Sequence, residues 1–162
     1  MNALVPSCRK QPVLDIAGLS PNESVLTVEQ NDFEILRIAQ DAQAGLSVFF
    51  RHLNGAEEGE YGFCIKYPFP ADPDSGTNAE QIWLTGIRFR NNRYYGTLAD
   101  TPVRISYMKK GDTVTFSPDN ITDWMFVKNG EIVGGRSIKY LLEQIPKNRR
   151  SEGQNMLLQM FE

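Results

Sequence analysis

Residues 113–139 read TVTFSPDNITDWMFVKNGEIVGGRSIK. A β-branched run, 113–116, stops at the turn sequence Ser117-Pro118-Asp119-Asn120. A second run, 121–127, leads into Asn129-Gly130, which is flanked by Phe126-Val127 and Ile132-Val133. That dipeptide between apolar pairs predicts a type I′ hairpin, because both central residues need positive φ. Gly134-Gly135 then opens a helix predicted over 137–145, which Pro146 stops. Strands joined by tight turns and followed by a helix set the class for the rest of the chain.

Upstream of this stretch the pattern alternates. Residues 81–90 and 93–98, separated by Asn91-Asn92, predict a second hairpin. Residues 61–67 read as a strand, and 103–107 as a short one. Pro68, Pro70 and Pro73 with Asp72, Asp74, Ser75 and Gly76 read as a long loop. Before the strands, Leu36, Ala39, Ala42, Leu46, Phe49 and Leu53 recur at helical spacing. They predict one long helix starting at Asn31 or Asp32 and ending at Asn54-Gly55. Gly45 inside it costs about 1 kcal/mol of propensity, which a close helix-to-sheet contact would justify. Ser20-Pro21-Asn22-Glu23 has the form of a helix start, but Val25-Leu26-Thr27-Val28 favours a strand. At the far end Met156, Leu157, Met160 and Phe161 predict an amphipathic helix, packed on the core or on a partner. The expected fold is α+β: one domain, a bent antiparallel sheet packed against a long N-terminal helix, and one or two C-terminal helices. Residues 1–24 are expected to form an arm, 25–146 the core domain and 147–162 the final helix, packed on the core or on a partner.

The 162 residues suffice for one domain with a real core. A net charge of −3 argues against nonspecific nucleic-acid binding. The short basic spots Lys109-Lys110 and 147–150 read as solvated surface. Cys8 and Cys64, far apart, with His52 the sole histidine, give no metal site, and Cys64 reads as a buried inert thiol. No apolar run is long enough to span a membrane. The N-terminus, MNALVPSCRKQ, lacks the features of a signal peptide, so a cytoplasmic location is expected. The periplasm is the alternative if a processed leader has been removed.

Nucleophile-elbow, Walker and dinucleotide glycine patterns are absent. His52, in the last turn of a helix, reads as a capping or solvated residue. Gly134-Gly135 with Arg136 offers an anion seat at a helix start, set against the plainer reading of a tight strand-to-helix turn. Glu80 and Asp123 stand beside or near tryptophans, Trp83 and Trp124, and would make an acid/base pair if they met in space. The plainer reading has Asp123 bonding a local amide and Glu80 a surface cation. Aromatic residues on strands, Phe89, Tyr94, Tyr95 and Phe126 among them, belong mostly to the core. Alternation leaves room for some on an open sheet face.

Glu80-Gln81-Ile82-Trp83-Leu84, Gly96-Thr97-Leu98 with Pro102, Gly111-Asp112, Ile121-Thr122-Asp123-Trp124-Met125 and Gly134-Gly135-Arg136-Ser137, in that order, resemble the YegJ-like domain-of-unknown-function family 2314. The helical segment 39–53 shares its Ala and Phe spacing, and the resemblance covers residues 30 to 145. The family often has histidine after the glutamate, where this chain has Gln81. The resemblance implies a domain and candidate residues; it implies no activity. The expectation is a noncatalytic domain binding a protein or peptide, one form being an immunity-type bacterial protein. Its binding residues would be Glu80, Trp83, Asp123, Trp124, Gly134, Gly135 and Arg136, with no catalytic residue, metal or cofactor. A small hydrolase- or lyase-like enzyme using Glu80 and Asp123, with an anion at Gly134-Gly135-Arg136, is the alternative.

Overall fold

A computed structural model describes residues 33–161; the expected arm, the strand at 25–28 and the first residues of the core domain lie outside them. Asn129 and Gly130 take φ of 52° and 86°, and Asn91 and Asn92 take 50° and 60°. Both dipeptides thus make the left-handed turns that tight hairpins require. They join β5 (Asp123–Lys128) to β6 (Glu131–Gly134) and β2 (Ala79–Arg90) to β3 (Arg93–Leu98). With β1 (Glu60–Pro70) and β4 (Thr113–Phe116) these form one six-stranded sheet, order β4-β3-β2-β1-β5-β6, every neighbour antiparallel.

Strand alternation sorts the side chains onto two faces. Ile65, Ile82, Leu84, Trp124 and Phe126 point to one, where α1 (Phe33–Ala44) and α2 (Leu46–Asn54) supply Ala42 and Phe49. Cys64, Trp83, Met125 and Val127 point to the other, where α3 (Arg136–Gln144) and α4 (Glu152–Gln159) supply Ile138, Leu142 and Leu157. Helices therefore lie on both faces, the N-terminal pair on one and the C-terminal pair on the other. Cys64 is a free, fully buried thiol, and burial pushes its pKa well up.

Three expectations change. The long N-terminal helix is two short ones broken at Gly45. A Cβ at Gly45 would stand 2.8 Å from Trp124 Cζ2, so the helix-to-sheet contact invoked for the glycine is real. Pro68 and Pro70 lie inside β1, not in a loop. Thr122 N–H donates to Lys66 O at 3.0 Å, so Lys66, Pro68 and Pro70 all turn their backbone toward β5. Beyond Asp123, β5 has ended, and the missing proline N–H groups cost no ladder bond. Residues 103–107 form no strand; instead this loop is pinned by side chains. The Glu80 carboxylate accepts Val103 N–H and Arg104 N–H at 2.8 and 2.7 Å, and Asp72 accepts Ser106 N–H at 3.0 Å.

Candidate functional site

Asp123, Trp124, Gly134, Gly135 and Arg136 meet at one corner, where β5, β6 and the start of α3 converge. Asp123 is fully buried. Its Oδ2 accepts Ser137 N–H at 2.8 Å and Ser137 Oγ–H at 2.7 Å, and its Oδ1 accepts Trp124 N–H at 2.9 Å. Ser137 is the second residue of α3, so the aspartate from β5 caps this helix from across the chain. Burial raises its carboxyl pKa, against the Ser137 hydrogen bonds and the nearby Lys66 charge. The donors that meet this carboxylate belong to Ser137, whereas the Gly135 N–H of the expected anion seat donates to Trp124 O at 2.8 Å.

Trp124 lies on the opposite side of β5. Its Nε1 donates to Ala42 O at 2.9 Å, and the Arg136 guanidinium sits 5.1 Å from its ring centroid. Gly134, at φ 81°, sits so close that a Cβ there would overlap the Trp124 carbonyl oxygen. The corner is packed solid. Arg136 Nη1 is buried without a hydrogen-bond partner among the described residues.

The two carboxylates of the acid/base idea do not share a face. Glu80 lies opposite Phe69 on the α1–α2 side; Asp123 lies opposite Lys66 on the α3–α4 side. Trp83 belongs with Asp123's side: the cross-strand row Asp123, Lys66, Trp83 runs over β5, β1 and β2, with Lys66 Nζ 5.8 Å from a Trp83 ring. The Trp83 Nε1 is likewise buried without a partner among the described residues.

Two features escaped the sequence reading. The first is a charged cluster around Glu60, whose side chain has no accessible surface. Its Oε1 is 2.9 Å from both His52 Nδ1 and Lys128 Nζ, and its Oε2 accepts Glu57 N–H at 3.1 Å. Lys128, with help from Glu57 N–H and His52, holds this carboxyl down at about 2 against the opposing effect of burial. His52 stacks on Phe126 at 5.0 Å, so the lone histidine is tied to the core edge. A glutamate at the end of an acidic loop carries no sequence mark of such burial.

The second is a groove of about 690 Å³ on the α1–α2 side of β2–β4, lined by Tyr67, Phe89, Tyr94 and Phe116 and bordered by the hairpin end at Asn92 and Arg93. The rings touch in series, Phe89 on Tyr94 at 4.7 Å, Tyr94 on Phe116 at 5.6 Å and Phe116 on Tyr67 at 5.9 Å. Phe89 is 58% exposed. Period-2 alternation places Phe89 and Tyr94 on strands; only the tertiary structure shows that α2 reaches Tyr94 through Phe50, at 5.1 Å, and stops short of Phe89.

A family model described as an uncharacterized protein conserved in bacteria (DUF2314) matches residues 32–157. The chain belongs to the DUF2314 family. Among its relatives is a putative ankyrin repeat protein of Neisseria meningitidis serogroup B, 31% identical over 77% of this chain and 51% of the relative. The uncharacterized protein YegJ of Escherichia coli K12 is 29% identical over 56% of each chain. This DUF2314 chain thus spans about half the length of the curated relatives it matches. No solved structure matches it. Among the described residues no helix is long and apolar enough to cross a membrane, and no cluster of His, Cys, Asp or Glu has the make-up of a metal site.

Proposed function

We propose that this DUF2314 domain is a noncatalytic binding module whose ligand is a protein or peptide, held at the aromatic groove and open edge of β2–β4. The observation that carries the reading is the aromatic groove over β2–β4, with Phe89 open to solvent beside Tyr94 and Phe116. An aromatic patch on a soluble domain is stabilised by covering it, and aromatic residues are favoured at interface centres. A putative ankyrin repeat protein among the relatives accords with a binding role. An immunity-type protein that neutralises a partner toxin is one form of the reading, and the acidic net charge suits it.

The expected residues at the Asp123–Arg136 corner enter this reading as its support. Asp123, Trp124 and Gly135 are buried and Gly134 and Arg136 half-buried, and the ligand sits farther along the sheet. The acid/base alternative requires Glu80 and Asp123 to cooperate through a sheet that separates them, with each carboxylate already engaged by N–H donors. The test is capture of partners from the native host by wild type and Phe89→Ser, with circular dichroism confirming that both fold. A partner retained by wild type and lost by the variant supports binding at the groove. If wild type captures nothing specific, or the variant retains the partner, the groove is not the site.

A further inference from the structure

The two edges of the sheet differ. At β6, Ile132 N–H donates to Met160 O at 2.7 Å, so the C-terminal segment closes that edge. At β4 nothing among the described residues pairs outward. Leu98 N–H donates to Asp112 O, and the register places Gly96 opposite Val114 and Tyr94 opposite Phe116. Residues 112, 114 and 116 therefore turn their backbone toward β3, while exposed Thr113 and Thr115 turn theirs to solvent.

Charge concentrates around this open edge. Arg88, Arg90 and Arg93 of the β2–β3 hairpin and exposed Lys109 and Lys110 on the approach to β4 gather there, in a chain whose total charge is −3. Arg90 stands directly across from Arg93, and no ion pair or hydrogen bond satisfies either among the described residues. Like charges directly opposite on a sheet are destabilising, so folding alone does not account for this pair. On the same face Arg88 lies over the Tyr95 ring at 5.6 Å, and Lys109-Lys110 precede β4 across the turn at Gly111-Asp112. The acidic neighbours are half-buried Asp100 just after β3, Asp112, already accepting Lys109 N–H, and exposed Asp119 just beyond the strand.

We propose that β4 is a docking edge for an extended segment of a partner protein in which apolar and acidic residues alternate. A strand added beside Thr113 and Thr115 sends alternate side chains to opposite faces. One set lies over the aromatic groove of Tyr94 and Phe116. The other lies on the arginine face, where the span from β3 to the added strand is about 10 Å, within the joint reach of an arginine and a glutamate. This deepens the binding reading above and rests on it.

The experiment titrates the purified domain with a fluorescein-labelled peptide of alternating Val and Glu. The controls are its Val–Lys counterpart, the Val–Glu peptide N-methylated on alternate amides, and single-stranded oligo-dT. The proposal expects the Val–Glu peptide to bind, to weaken as salt is raised, and to lose affinity on N-methylation. It expects Arg93→Glu, which turns the Arg90 pairing attractive, to weaken binding about tenfold or more without lowering Tm. Equal binding of the Val–Lys peptide, indifference to Arg93→Glu or to N-methylation, or tighter binding of oligo-dT each overturns it. A host partner whose capture depends on Phe89 but not on Arg93 or salt would sink this proposal alone. Capture of nothing would sink the broader reading.

Discussion

A buried carboxylate persists only where donors meet its lone pairs, and Asp123 meets three. Asp123→Ala would strand Ser137 N–H, Ser137 Oγ–H and Trp124 N–H in the core. The expected loss is about 3–5 kcal/mol in urea unfolding, with Asp123→Asn losing less because one acceptor remains. Glu60 governs acid behaviour instead. Its carboxyl, ordinarily near 4.5, titrates at about 2 in the fold, so its stabilisation is whole above 4.5 and fades as pH falls toward 2. Asp123, raised by burial, acts in the opposite sense, its contribution declining as pH rises through its folded pKa. Melting curves between pH 2 and 5 should show wild type losing stability on acidification and Glu60→Gln losing less. An identical acid limb in the variant would mean that Glu60 is not held down as described.

Helix and strand boundaries depend on contacts that lie far off in sequence. The apolar spacing through residues 36–53 announced a helix correctly, yet nothing local announced that Trp124 would press against Gly45 and divide it. Gly45→Ala should therefore cost about 1–3 kcal/mol through overpacking, although alanine has the better helix propensity. Gly134→Ala combines positive φ with overlap on the Trp124 carbonyl and should prevent recovery of folded protein. A gain in Tm for Gly45→Ala would reverse the account of the break. The two hairpins were legible because Asn-Gly and Asn-Asn encode their own backbone angles. The prolines of β1 were not, since their tolerance depends on where β5 ends.

Across the whole molecule, the residues that look most functional in sequence are those the core uses hardest. Trp83 and Trp124 are each 2% exposed, and Gly134, Gly135 and Asp123 serve the turn into α3. A single sequence does not separate a residue dense in structural duties from one dense in chemistry, because both need unusual side chains at fixed places. The groove was illegible for the converse reason. How far the helices reach along the sheet follows from their docking, and α2 extends to Tyr94 through Phe50 but leaves Phe89 exposed. Arg93→Glu separates the two kinds of residue at this scale: thermal melts should hold or rise slightly while peptide affinity falls. A matching loss of stability would make the arginine structural.

The central claim is that the open β4 half of the sheet, and not the Asp123–Arg136 corner, receives the ligand. The most direct measurement is a backbone amide NMR titration of the domain with the Val–Glu peptide. The account predicts shifts at Thr113 and Thr115 and around Arg93, Tyr94 and Tyr95, with slowed exchange of the two threonine amides and silence at Trp124 and Ser137. Shifts centred on Trp124, Arg136 and Ser137, with β4 unmoved, would contradict it.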